Sequence, residues 1–217
     1  MSQKKRSLFT GLLYLSLVIF GPIALLLIPS QFDVIDINQY AESHMGLIIV
    51  WILIELIIIG IEVILSLYLY KLLKVYHKNL SFFAFIFRIA VVVVMIVNVF
   101  YLSMILFNQE QNADLFIPRH QDGIYIWQLF FSVHVFILGL IIFKYNKTLW
   151  KYLGVVLLIG AFGYLIDSII ALGNLDYQIL NTLSGFLLIF ITVGEIGTGT
   201  GFSLNKIVHK EIDGVSL

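Results

Sequence analysis

Residues 46–70 read GLIIVWILIELIIIGIEVILSLYLY, and this stretch decides the fold. It is long enough to cross a bilayer, which takes about 20 apolar residues in a helix. Glu55 and Glu62 interrupt it. They stand seven positions apart, close to two helical turns, so both carboxylates project from one face. An ionised side chain near the bilayer centre costs roughly 2.5–3.5 kcal/mol on insertion scales. A spanning helix with two acids on one face therefore implies partners, protons or water on that face.

The same pattern extends along the chain. Apolar runs at about 8–28, 81–107, 125–143, 152–172 and 179–203 accompany the one at 46–70. Backbone polar groups in lipid must be satisfied internally, and runs such as Ile89–Val97 and Leu183–Ile191 lack the alternation of a barrel strand. Composition agrees. Of 217 residues, 60% are hydrophobic and 12% charged, against about 25% charged in a soluble domain. Residues 1–217 are expected to form a single transmembrane domain: an all-α, polytopic bundle of six helices. The first run follows Lys4, Lys5 and Arg6, but it is longer than a signal-peptide core and Pro29 and Ser30 follow it, so it is expected to be retained.

Basic residues set the expected orientation. Lys4, Lys5 and Arg6 precede the first run. Lys71, Lys74 and Lys78, then Lys144, Lys147 and Lys151, then Lys206 and Lys210 occupy the turns on the same side, while the opposite loops hold Arg119 alone. The positive-inside rule places both termini in the cytoplasm. Asp33, Asp36, Glu42, Glu110, Asp114, Asp122 and Asp176 fall on the outer side. Tyr40, Tyr125, Trp127 and Tyr177 then flank the outer face, and Tyr70, Tyr76, Tyr145, Trp150 and Tyr152 the inner one.

Counting from the helix ends assigns depths. Glu62, Arg88 and Glu195 form an expected inner layer, in which Arg88 would hold both carboxylates ionised. Glu55, Asn98, His134, Tyr164 and Asp167 form an expected column further out, with Glu55 and His134 as a titrating pair. Each has a plainer reading as a helix-locking hydrogen bond, worth about 0.6 kcal/mol. That reading suits Asn98 and Tyr164; the acids would be an expensive way to make such a bond.

Other chemistry finds less support. There is no cysteine, so thiolate ligands and nucleophiles are excluded. His44 and His120 are read as outer-loop residues beside Glu42 and Asp122, without the spacing of a metal site. His77 and His209 are expected among lipid head groups. A single deep histidine, His134, argues against a bis-His haem. Gly197 and Gly201 have the small-xxx-small spacing of close helix packing rather than a phosphate loop. No metal, cofactor or nucleic-acid partner is expected. The expected partners are the lipid bilayer and a proton, cation or small solute.

The chain resembles a bacterial membrane family known as domain of unknown function 4386. The resemblance is carried in order by Gly11-Leu-Leu-Tyr14, Leu67-Tyr-Leu-Tyr70-Lys-Leu-Leu73, Phe87-Arg88, Phe130-Phe131 with His134, Leu153-Gly154, Gly163-Tyr-Leu-Ile-Asp167 and Gly194-Glu195. It implies a six-span bacterial inner-membrane protein, with acids at the places of Glu55 and Glu62, and no particular activity. The chain departs from the family at Gly197-Thr-Gly-Thr-Gly201, where apolar and Trp residues are usual. Three functions fit these residues: a small carrier or ion-coupled protein, an intramembrane enzyme acting on lipid through His134, Asp167 and Glu195, or an accessory or immunity-type subunit with purely structural charges.

Overall fold

A computed structural model describes residues 2–107, 112–144, 148–175 and 177–204. Lys147, Lys206, Lys210, Glu110, Asp176, Tyr145 and His209, which enter the orientation argument or the head-group reading above, lie outside the described residues. Every regular element described is helical. In chain order these are α1 (Gln3–Pro22), α2 (Ile37–Ser43), α3 (Met45–Leu73), α4 (Lys78–Phe107), α5 (Ala113–Phe143), α6 (Thr148–Leu172) and α7 (Gln178–Ser203). Six of them, counting α1 with its continuation to Phe32, are long and apolar enough to cross a bilayer. The chain is a multi-pass helical membrane protein. The Gly-Thr-rich segment does not end α7, which continues to Ser203.

Each spanning helix packs against two neighbours. The order around the bundle is α1, α3, α4, α5, α6, α7 and back to α1. Lipid offers no hydrophobic drive for this association, so close approach has to come from small residues. A Cβ on Gly154 would meet the backbone of Phe143, fixing α6 on α5. One on Gly160 would meet the backbone of Ile191, fixing α7 on α6. Gly11 packs in the same way on Ser203 and Gly199, bringing α1 to α7. The end of α6 is a Schellman turn. Asn174 adopts φ 49°, Asn174 N–H donates to Ala171 O, and Leu175 N–H donates to Ile170 O.

Two departures from the expected boundaries matter. Pro22 has no N–H for the Val18 carbonyl, and the chain passes into a π-turn over Ile23–Leu27, with Ile28 N–H donating to Ile23 O. A 3-10 turn at Pro29–Phe32 and the short α2, capped by Asp36 on Gln39 N–H, then cover one end of the bundle. The second departure corrects the sequence reading. The helix expected to begin near residue 125 begins at Ala113, with Pro118 inside it. The polar run Arg119–Asp122 has the composition of a loop. It is helical because Ile117, His120, Gly123 and Ile124 face inward while Arg119 and Asp122 face out.

Candidate functional site

The longer α5 changes the depth count. Measured from the end of the bundle that carries Lys71 and Lys78, Glu62 is 11 residues from Leu73, Arg88 is 10 from Lys78 and His134 is 9 from Phe143. These three side chains therefore share one level, and His134 belongs beside Arg88 rather than beside Glu55.

Arg88 is fully buried and organises this level. Its Nε donates to Glu62 Oε2 at 2.6 Å and its Nη2 to Glu62 Oε1 at 3.0 Å, a two-point pairing. Its Nη1 donates to the Tyr14 hydroxyl at 3.1 Å and to His134 Nε2 at 2.8 Å. The guanidinium carbon lies 5.1 Å from the Tyr14 ring centroid and 5.2 Å from that of Phe131. One side chain on α4 thus ties α1, α3 and α5 together.

This arrangement fixes the state of His134. An arginine has donors only, so His134 Nε2 must accept. The proton then sits on Nδ1, which donates to Ala84 O at 2.8 Å. Both ring nitrogens are occupied and the imidazole is neutral. A second proton could enter only by displacing Arg88, so His134 is a structural acceptor and not the expected partner of Glu55.

That partner is His120. Its Nε2 lies 2.5 Å from Glu55 Oε1, and both residues are buried. Trp51, one turn from Glu55, sets its ring edge-on to the imidazole with centroids 4.6 Å apart. Phe32 stacks on Trp51 at 5.7 Å from beyond. The assignment of His120 to an outer loop is therefore corrected. His44 instead stacks on Tyr40 and contacts Ser43 Oγ and Tyr40 O. A sequence signal for His120 exists. His120, Trp127 and His134 recur every seven residues, which places them on one helix face.

The two layers open on one cavity of about 520 Å³ inside the bundle. Glu55 and Glu62 line it from α3, Asp167 and Tyr164 from α6, and Glu195 from α7. Gln121, Tyr125 and Gln128 add polar groups from α5, none of which the depth count selects. Asp167 accepts from Ser184 Oγ at 3.3 Å and from the Gln128 side chain. Glu195 makes no hydrogen bond among the described residues and interacts with Arg88 through the field alone. Asn98 does not line the cavity. It packs on Gly123, where a Cβ would fall on its side-chain amide. Apart from Thr192, the remaining walls are largely apolar, and Val18, Ala24 and Leu25 of the interrupted first span are among them.

A family model described as Domain of unknown function (DUF4386) matches residues 9–200. The chain belongs to this family. No curated protein and no solved structure matches it. The family match covers every charged residue of the site, from Glu55 to Glu195. Among the described residues, no group of three or more His, Cys, Asp or Glu is placed to hold a metal ion. The carboxylates are spread along the cavity rather than converging on a point.

Proposed function

We propose that the protein is a small carrier or ion-coupled membrane protein whose cavity takes up a monovalent cation, organic or inorganic. The observation that carries this reading is a charge imbalance. Four carboxylates, Glu55, Glu62, Asp167 and Glu195, line one intramembrane cavity. Among the described residues, Arg88, bound to Glu62, is the one basic side chain bonded to any of them besides His120. In a low-dielectric interior such an excess is relieved by protons or by a bound cation. The wall supports the same reading. Transporters often interrupt a spanning helix where it faces the substrate, so that backbone carbonyls reach a cation. Here Pro22 withholds its N–H from Val18 at a cavity-lining stretch. A structural role for the charges explains Arg88, Glu62 and His134, which saturate one another, but not Glu195 and Asp167 on the open cavity. In this reading the protein lies in the bacterial inner membrane with both termini cytoplasmic, as its lysine-rich turns suggest.

The test is binding to the purified chain in detergent micelles, with sodium, choline and tetraphenylphosphonium as probes and 3,3-dimethylbutanol as the neutral counterpart of choline. Saturable binding of at least one cation is expected, weakened tenfold or more by Glu195→Gln. Equal binding of the neutral alcohol, or no binding of any of the three cations, overturns the proposal.

A further inference from the structure

Glu55 and His120 are bonded to each other, yet the pair keeps unused valence on both sides. Glu55 Oε2 and His120 Nδ1 are both buried and, among the described residues, without a hydrogen-bond partner. Trp51 Nε1 and Asn98 Oδ1, beside the pair on α3 and against α5 at Gly123, are also unpartnered there. A buried polar atom left unpaired costs about 1–3 kcal/mol. Folds rarely concentrate that cost without a use for it. His134 shows the alternative, a buried histidine of the same helix with both nitrogens engaged.

We propose that Glu55 and His120 are a binding site for a single exchangeable proton. In the unloaded form Glu55 is a carboxylate accepting from His120 Nε2–H, Nδ1 carries a lone pair, and the pair has net charge −1. The loaded form has one proton more and no net charge, as imidazolium against carboxylate or imidazole against carboxylic acid. Loading breaks no hydrogen bond, because the two free atoms are the two that can receive the proton. The route is one-sided. Phe32 and Trp51 close the pair toward the capped end of the bundle, while Glu55 lines the cavity. The charged groups that share the cavity with it are Glu62 on the same face of α3, Asp167 on α6 and Glu195 on α7, with Arg88 already bound to Glu62. For its consequence the inference rests on the cation-binding reading above. A cation in the cavity and a proton on the pair neutralise the same field, so each expels the other, as in a proton-coupled exchanger.

The proton site is tested first without any cation ligand. The full chain, labelled with 15N-histidine and 13C-glutamate, is titrated in micelles between about pH 5 and 8, the range around an unperturbed histidine. The five histidines are assigned by single substitutions. Either the His120 ring nitrogens or the Glu55 carboxyl carbon should pass through one transition, and Glu55→Gln should shift or remove that of His120. His134 should keep its Nδ1–H form throughout. No transition at either residue in the native chain, or a His120 transition unaltered by Glu55→Gln, overturns the site whether or not the cavity binds cations. Coupling is then read with tetraphenylphosphonium in weak buffer. Binding should release protons from the native chain, and His120→Gln should keep binding while losing the release. Release that survives in His120→Gln refutes the exchange.

Discussion

Replacing Arg88 by methionine removes the guanidinium but roughly fills its volume, and the structure sets the expected loss. Glu62 loses two charge-assisted hydrogen bonds, at 2.6 and 3.0 Å, and Tyr14 and His134 lose their shared donor. Bonds to charged groups contribute about 1.5–3 kcal/mol each, and breaking one side of a buried pair typically costs about 3–5 kcal/mol. For a chain of this size each kcal/mol lowers the melting temperature by roughly 2–4 °C. Arg88→Met should therefore melt about 6–20 °C below the native protein in dodecyl maltoside micelles, followed through its three tryptophans. Glu62→Met alone should be costly as well, because it strands a buried guanidinium. The double variant leaves neither charge exposed to the other's absence, and an apolar pair is often as stable as a buried ion pair. It should regain about 2 kcal/mol or more relative to the sum of the single losses. Single losses that add to within about 0.5 kcal/mol would refute the reasoning, since that is the behaviour of independent sites.

Three further outcomes follow from the geometry. Reporter fusions after Lys78 and at the C-terminus should report cytoplasm, and fusions near Gln39, Asn112 and Asn174 the opposite side; a C-terminus outside would break the six-span orientation. Gly160→Ala should destabilise by about 1–3 kcal/mol because its Cβ would lie 2.6 Å from the Ile191 backbone nitrogen, whereas Gly185→Ala, with nothing within 4 Å, should be neutral or stabilising by up to about 1 kcal/mol in thermal melts. His134→Gln, which retains an acceptor for Arg88, should fold at near-native yield, and His134→Lys, which sets a cation against that arginine, should not; equal yields would remove the neutral-acceptor assignment.

The span count is legible in the sequence because length and hydropathy are one-dimensional properties. So is the Glu62–Arg88 pair, since a short turn between α3 and α4 forces residues equally far from it to the same depth. What the sequence hides comes from one boundary. Pro118, Arg119, His120, Gln121 and Asp122 have loop composition, and a helix presenting His120 inward and Arg119 outward cannot be told from a loop by polarity alone. Starting α5 twelve residues late, at 125 instead of 113, moves its midpoint and so moves His134 to the wrong layer. The exchange of histidine partners is the same error seen twice. The π-turn after Pro22 is hidden for another reason: proline announces a lost hydrogen bond but not how the following turn will recover it.

Glu55 and Glu62 make the division of labour in this interior concrete. They are the same residue type on the same face of one helix, and both line the same cavity. Glu62 meets an arginine whose pairing uses both of its oxygens, so its charge goes into holding α3 to α4. Glu55 meets a histidine that engages one oxygen and leaves the other free. An arginine cannot give up its proton near neutral pH and a histidine can. The partner, not the acid, decides which carboxylate is scaffold and which can exchange a proton. Exchanging the partners should exchange the roles. A chain carrying His120→Arg should hold Glu55 as a permanent carboxylate and lose its pH-dependent transition. The Arg88–Glu62 lock, on other helix turns, should keep its contribution to the melting temperature. A transition at Glu55 that persists in the His120→Arg chain would show that the acid itself, and not its partner, sets the chemistry.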